Sequence, residues 1–424
     1  MKKLITLLAV LGVATTASAD DHMKQNGSFR VQYNNTTNTT DFNDDAGDKV
    51  QNISQRLVWG PTFKVSDKLS VHATFVHAAT WGFNADQVPG DANGAITNAE
   101  KGNDLLVVNE AYANWMIDDS SVLKVGRGSF TMADGRVVAH NSWEQIAKAF
   151  DGLLYTRDME ALRVSGFAVR GATDSTGASN TSGNFYGLSF DFKSLPEFLN
   201  TANLHYVIVK RDAGTYLING TGTALTKEDS NRIGLTVGGD SGPVDYNLTY
   251  AMYTGEFSGT TDIDASMYDL TVGFSMPDVM NMRIAAQIHS DTGADGGADF
   301  TRYTGFHYDT HNNAGLMDIV GYGNLTFNRI GLTMDAKEDL SVGLDYYMFT
   351  LTEDTDGSYN TAGTALAAAN SEDDLGTEID LWVQKTYSSN FNMKLRYGQF
   401  AGGDHLGTSL DDATQIYLES NMTF

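Results

Sequence analysis

From Lys24 to Phe424 the chain alternates apolar and polar side chains in runs of roughly ten residues, joined in turn by a short polar turn and a long polar loop. Successive side chains of a strand point to opposite faces, so each run offers one apolar and one polar face. Helical spacings of three and four are hard to find. The short turns fall at 66–68, 118–121, 158–160, 194–200, 240–243, 277–281, 335–339 and 388–390. The long loops fall at 34–49, 82–103, 129–147, 172–182, 212–228, 256–264, 291–317, 353–374 and 402–411. Eight turns and nine loops separate 18 strands. An even count puts both chain ends on one side of the sheet.

Individual runs make the alternation concrete. Met282, Ile284, Ala286 and Ile288 oppose Arg283, Gln287 and His289. Leu340, Val342, Leu344, Tyr346 and Met348 oppose Asp345, and Leu375, Ile379, Leu381 and Val383 oppose Glu378, Asp380 and Gln384. The last run sets Ile416, Leu418, Met422 and Phe424 against Tyr417 and Glu419. A soluble sandwich alternates too, with its apolar face inward. Here the charged faces converge on one common side over many runs, and Trp59, Trp81, Trp115, Tyr206, Tyr250 and Tyr346 are suited to interfacial aromatic belts. The C-terminal Phe424, on the apolar face, resembles the insertion signal read by barrel-insertion machinery. Lipid tolerates no unpaired sheet edge, so such strands must close into a barrel. The expected fold is all-β: a transmembrane antiparallel barrel with short periplasmic turns and long extracellular loops. Eighteen strands enclose a lumen too wide for wall side chains to fill, so water or an infolded loop must occupy it.

Composition narrows the function. Lys plus Arg is 28 against 53 Asp plus Glu, a formal charge of −25, which excludes a nucleic-acid binder working by bulk phosphate attraction. No cysteine is present, so disulfides, thiol catalysis and thiolate zinc sites are excluded. Met1 to Ala19 carries Lys2 and Lys3, an apolar run from Leu4 to about Ala14, and Ala17-Ser18-Ala19, the pattern of a cleaved secretory leader. Its removal takes two lysines and no acid, so the charge falls from −25 to −27. Residues 20–424 are then one barrel domain, expected in a Gram-negative outer membrane beside lipid and lipopolysaccharide.

With the apolar face toward lipid, the lumen receives Arg56, His72, Glu110, Arg163, Arg232, Arg283, Asp345, Glu378, Asp380, Lys394, Arg396 and Glu419. Charges of both signs on a wet wall set a field across a passage. Strict alternation places Arg127 beside Val125 on the lipid face, so a bulge at Gly126 or Gly128 is expected to turn it inward. Loop 129–147 is less acidic than the others and carries Arg136, His140 and Trp143, which suits a constriction folded into the lumen. Acids crowd other loops: Asp41, Asp44, Asp45 and Asp48; Asp291, Asp295 and Asp299; Glu353, Asp354 and Asp356; Glu372, Asp373 and Asp374. The run Asp41 to Asp48 resembles the start of a calcium loop, but Ala46 replaces the needed glycine and no Glu stands at the twelfth position. Loose Ca2+ binding by acidic loops is the most it supports, and no cofactor is expected. The neighbours His140-Asn141-Ser142 cannot face one another as a nucleophilic triad, so no enzyme is expected.

Two blocks carry a resemblance. Residues 107–155 contain Asn109-Glu110-Ala111-Tyr112, Val125-Gly126-Arg127, Asp134-Gly135-Arg136-Val137-Val138, Trp143 with Gln145, and Phe150-Asp151-Gly152-Leu153. Residues 304–400 contain His311, Gly315-Leu316-Met317-Asp318-Ile319, Asn324-Leu325, Leu375 to Asp380, and Tyr397-Gly398. In this order the two blocks resemble the alginate-export family of outer-membrane barrels. The resemblance implies an 18-stranded barrel with a polar conduit, lined by many arginines in the alginate secretors. It carries over Glu110, Arg127, Arg136, Trp143, Asp151, Glu378 and Asp380 as pore or constriction residues. The acid-rich outer loops depart from a polyanion conduit, since an acidic vestibule repels uronate chains. The expected function is a porin-like channel for passive diffusion of small polar solutes or ions. An exporter of an anionic polysaccharide such as alginate is the alternative, and predicts a basic ring of Arg127, Arg136 and Arg163 without acidic neighbours. A plugged structural or adhesive barrel is the third reading, and predicts that loops such as 129–147 and 291–317 fill the interior and leave no continuous path.

Overall fold

The computed structural model describes residues 22–39, 42–44, 49–81, 105–170, 183–211, 214–218, 221–225, 227–257, 259–305, 307–309, 311, 313–361 and 363–424. The expected leader, loops 82–103 and 172–182, and Asp41, Asp45 and Asp48 lie outside the described residues. Eighteen strands form one sheet: β1 Met23–Thr37, β2 Val50–Ser66, β3 Leu69–Thr80, β4 Leu105–Asp118, β5 Ser121–Gly128, β6 Phe150–Asp158, β7 Leu162–Arg170, β8 Asn184–Phe192 and β9 Thr201–Arg211. They continue as β10 Glu228–Ser241, β11 Val244–Phe257, β12 Thr261–Met276, β13 Met282–Asp291, β14 Leu325–Lys337, β15 Leu340–Leu351, β16 Asp374–Ser388, β17 Phe391–Gly402 and β18 Ala413–Thr423. Each strand pairs antiparallel with the next, and β18 returns to β1 from Ser28 opposite Thr423 to Thr37 opposite Thr414. The sheet therefore has no edge, as a lipid environment demands. At the seam, the Gly27 and Phe424 backbones exchange N–H···O bonds of 2.9 and 3.0 Å.

The apolar face points outward. Ile284 and Ile288 are exposed while Gln287 and His289 are buried, and Leu344, Tyr346 and Met348 are exposed around buried Asp345. Trp81, Trp115, Tyr250 and Tyr346 are exposed on the outside, as the belts require. Two expectations on side-chain placement are corrected. Leu375 is buried inside the barrel, because a register shift between β15 and β16 skips it in the ladder and turns it from its expected face. Trp59 is also nearly covered, by stacking on Phe75 at 5.6 Å and bonding to Gln25.

The interior differs at its two ends. The extracellular half holds a dry core that mixes inward wall residues such as Val207, Tyr253, Phe327 and Phe400 with the loop residues Val137, Val138, Tyr303 and Tyr322. This core takes no residue from β1 to β5. The periplasmic half is lined mostly by polar side chains, among them Ser189, Asn203, Thr236 and Asn247. Both the dry core and the narrowing of the lumen come from infolded loops.

Candidate functional site

The segment 129–149 leaves β5 and crosses the lumen. Its first residue is fixed by the wall: Glu110 on β4 accepts from the Ser129 N–H and hydroxyl at 2.7 Å each, and from Thr74 at 2.8 Å. Farther along, Asp134 accepts from Thr249 of β11 at 2.6 Å, and Arg136 lies 3.1 Å from Asp269 of β12. The segment then reaches β1 and β2, where Arg30 donates to the Trp143 carbonyl at 2.8 Å and Arg56 donates to the carbonyls of Ser142 and Glu144 at 2.7 and 2.6 Å. Strands β2 and β11 are nine apart in a ring of 18, so the segment braces opposite walls.

A second segment, 292–324, enters from β13 and clasps the first. Ala139 N–H donates to the His307 carbonyl at 2.9 Å, and Asp309 N–H to the Gly135 carbonyl at 3.0 Å. Arg136 donates to the Tyr322 hydroxyl at 2.6 Å, and Lys148 to the Tyr308 carbonyl at 3.2 Å. Trp143 stacks on His311 with centroids 3.8 Å apart and planes at 7°. The second segment has its own wall anchors. Glu378 of β16 accepts from the N–H groups of Leu316 and Met317 at 2.6 and 2.9 Å, and Asp380 shares the Leu316 donor at 3.0 Å. Gly315, at φ +88°, makes that approach, since a Cβ there would lie 2.5 Å from a Glu378 oxygen. Asp291 accepts from the N–H groups of Gly323 and Leu325, and also contacts His289, which stands 3.3 Å from Asp269.

Burial tunes the loop groups. Burial would weaken the Arg136 cation, but Tyr322, Asp269 and Asp134 outweigh it and raise its pKa above the ordinary arginine value. Burial also lowers the Lys148 ammonium, against Glu144 and Asp309. His307 and His311 are both pushed down to about 3, first by burial and then by neighbouring cations, Lys148 for His307 and Arg396 for His311.

The walls carry opposite signs. Arg30, Arg56, Lys394 and Arg396 form a basic arc on β1, β2 and β17, interrupted by Glu419 on β18. Asp345, Glu378 and Asp380 form an acidic arc on β15 and β16, where Asp345 stands directly opposite Asp380. Arg329 offsets part of it, at 2.6 Å from Asp345. Arg283 is on the lumen face near the periplasmic end and pairs with Asp245 across β12, where Gly273 leaves the room. Arg163 lies at the periplasmic rim, paired with Asp158 at 2.8 Å. A cavity of about 470 Å³ lies beneath residues 130–134, walled by β6 to β11.

Five expectations about the site are corrected. Arg127 is not turned inward: β5 runs against β6 without a register shift, so Arg127 keeps the outward side of exposed Val125. Its bidentate partner Asp151, at 2.7 Å through both oxygens, stands directly opposite and is outward for the same reason. The expected acid-free ring of Arg127, Arg136 and Arg163 does not form, because each has its own carboxylate: Asp151, Asp269 with Asp134, and Asp158. Asp291 is no loop acid but the buried end of β13. Asp356, expected to add to an acidic vestibule, is buried against Arg302. Arg30 and Asp269, absent from the residues expected in the lumen, also belong to the site. Both were detectable, since Phe29, Val31 and Tyr33 alternate around Arg30, and Tyr268 and Leu270 flank Asp269.

An apolar exterior, a charged lumen and a closed ring of 18 strands define the channel-forming class of outer-membrane barrels. Solved structures agree on the fold. OpdO of Pseudomonas aeruginosa aligns with a TM-score of 0.63 at 15% identity, over 95% of this chain and 97% of that one. OccK5 (OpdH) of the same organism gives 0.62 at 14%, over 95% and 98%. OpdK, solved with vanillate, gives 0.62 at 11%, over 95% and 98%. No curated protein matches the chain. The model of the alginate export family matches residues 103–417, and the chain belongs to that family.

Proposed function

We propose that this barrel is a passive outer-membrane channel for small polar solutes or ions, its conductance limited by the two clasped loops. The observation that carries the reading is the division of the lumen among the described residues: a polar periplasmic half with its cavity of about 470 Å³ stands beneath a constriction tied to both walls. Passage is downhill, so the reading assigns the chain no reaction and no cofactor. The residues proposed to face a passing solute are Arg56 and Lys394 on the basic arc, while Arg396, Asp345, Glu378, Asp380, Arg136 and Trp143, packed between wall and loops, are proposed to set the shape and field of the constriction. Glu110 and Arg283 act as supports of loop and wall. Phe424 is the proposed contact for insertion machinery.

The small-solute reading takes support from OpdK, a barrel of like fold solved with vanillate. The polysaccharide reading takes support from the family and from the basic arc. Planar-bilayer recording of the refolded protein tests the choice. Discrete steps that oligouronates leave unblocked are expected; block by them supports export, and no steps at all supports the plugged barrel.

A further inference from the structure

The misplaced pair Arg127 and Asp151 belongs to a longer feature on the outside of the barrel. Asp151 is the direct cross-strand partner of Arg170 as well as of Arg127, and Arg170 is opposite Asn184. Asn184 is in turn opposite Lys210, and Lys210 opposite Asp229, to which it is bonded at 3.2 Å. Arg127, Asp151, Arg170, Asn184 and Lys210 are all exposed, while their chain neighbours Phe150, Val169, Phe185 and Val209 are buried inside. One unbroken rung of polar side chains thus rings the outer face from β5 to β10. The rung ends in acids, Glu256 and Asp262 on β11 and β12.

Its height is fixed by the next outward rung. Two residues toward the periplasm stand Val125, Leu153, Ala168, Tyr186 and Ile208, again opposite one another in register. From β6 to β9 the rung therefore sits at the upper border of the apolar band, on the side of the long loops, while beside Arg127 the apolar face of β4 continues above it through exposed Val108 and Leu106. That is the level of the headgroups of the outer leaflet. The chain as a whole carries −25, which repels an anionic lipid surface. Against that background three cations meet the headgroups on one arc; Asp151 sits between the two arginines and Asp229 pairs with Lys210, so the five groups together keep one net positive charge. Arginine's planar fork matches phosphate oxygens bidentately.

We propose that the arc Arg127–Arg170–Lys210 is a docking site for a phosphorylated glycolipid headgroup, the lipid A part of lipopolysaccharide. The arginines take one phosphate and Lys210 the other. The acids on β11 and β12 close the site on that side.

The test uses the full barrel refolded in detergent and titrated with lipid A bearing both phosphates, with dephosphorylated lipid A, and with phosphatidylglycerol. The wild type binds the phosphorylated form at least tenfold tighter than the other two, and Arg127→Gln/Arg170→Gln/Lys210→Gln loses that preference. Arg157→Gln, which removes a cation from the same face at the opposite rim, keeps it. Heat-modifiable migration reports folding, and single Arg170→Gln replaces the triple variant if the latter does not refold. The proposal is overturned if the variants at the arc keep wild-type preference, if Arg157→Gln costs as much, or if phosphatidylglycerol binds as tightly as phosphorylated lipid A.

Discussion

Arg396 Nη1 lies 2.9 Å from Nε2 of His311. A guanidinium only donates, so Nε2 must accept. His311 Nδ1 is 2.7 Å from Asp318, which only accepts when ionised, so Nδ1 carries the proton. The imidazole is thus neutral, with both nitrogens satisfied, and its face is free to stack on Trp143. Arg396 also lies over the other aromatic of this group, 4.7 Å from the Trp143 centroid, so one wall arginine holds the contact between the two loops.

This geometry sets a pH dependence. The charged groups around His311 are Arg396, Arg30, Asp309, Asp318 and Glu419, and burial together with the arginines holds its pKa at about 3. A depressed pKa means that the unfolded or undocked state binds the extra proton more readily. The docked clasp is therefore fully stable above the ordinary imidazole range and loses stability as pH falls from about 6.5 toward 3. His307 acts in the same direction. Bilayer recording at pH 7.5 and 4.5 should show larger or noisier steps at the lower pH. In His311→Phe that difference should shrink to the part due to His307.

Arg136 is the hub between the loops and the β12 wall. Asp269, fully buried, lies 3.1 Å from it and faces His289 on its other side. Arg136→Met keeps volume but leaves the Asp269 carboxylate with less compensation, at a cost of about 3–5 kcal/mol for a broken buried pair. Thermal unfolding should fall accordingly, and single-channel conductance should rise as residues 130–139 lose their hold on the wall. Unchanged conductance in a folded variant would remove this loop from the constriction.

Gly315 tests the second anchor. Its φ of +88° and the 2.5 Å that would separate a Cβ from Glu378 leave no place for a side chain. Gly315→Val should cost about 1–3 kcal/mol through overpacking and backbone strain. Hydrogen exchange at the amides of Leu316 and Met317, both bonded to Glu378, should accelerate most. Exchange unchanged at those amides would show that the carboxylate does not hold the loop.

Strand placement was legible because lipid enforces it: a one-residue slip would turn every apolar side chain from bilayer to lumen. All eight turns therefore fall where the alternation breaks, and Ile284, Leu344 and Leu381 face out as the pattern requires. The departures are local. Leu375 escapes the pattern at a register shift beside Gly376, whose φ of +118° marks the bulge; a strand glycine signals that a bulge can form but not which side chain it turns. The bulge expected at Gly126 or Gly128 does not form against β6, so Arg127 follows strict alternation and stays outward, where Asp151 pairs with it. The constriction was half legible. Arg136 and Trp143 could be named from residue type, whereas their partners Asp269, Tyr322 and His311 depend on which distant strands the loop meets. Such meetings across the lumen leave no period in the sequence.

The placement of Arg127 and Lys394 on opposite sides of the wall gives the sharpest contrast. Lys394 stands on the lumen side, opposite Glu419 in register and 4.3 Å from the Trp382 ring centre. Lys394→Glu changes the local charge by two units. For an ion passing at about 8 Å in a water-like medium that is worth roughly 1 kcal/mol, or about a fivefold change in partitioning before screening. The reversal potential in a salt gradient should move toward cation preference, more at low than at high ionic strength. Arg127 pairs with Asp151 on the outer face, and both side chains are nearly half exposed. Such a pair contributes about 0–1 kcal/mol to stability. Arg127→Ala should therefore leave conductance and reversal potential at wild-type values. A reversal potential that moved with Arg127 and stood still with Lys394 would mean that the two faces of the wall have been assigned the wrong way round.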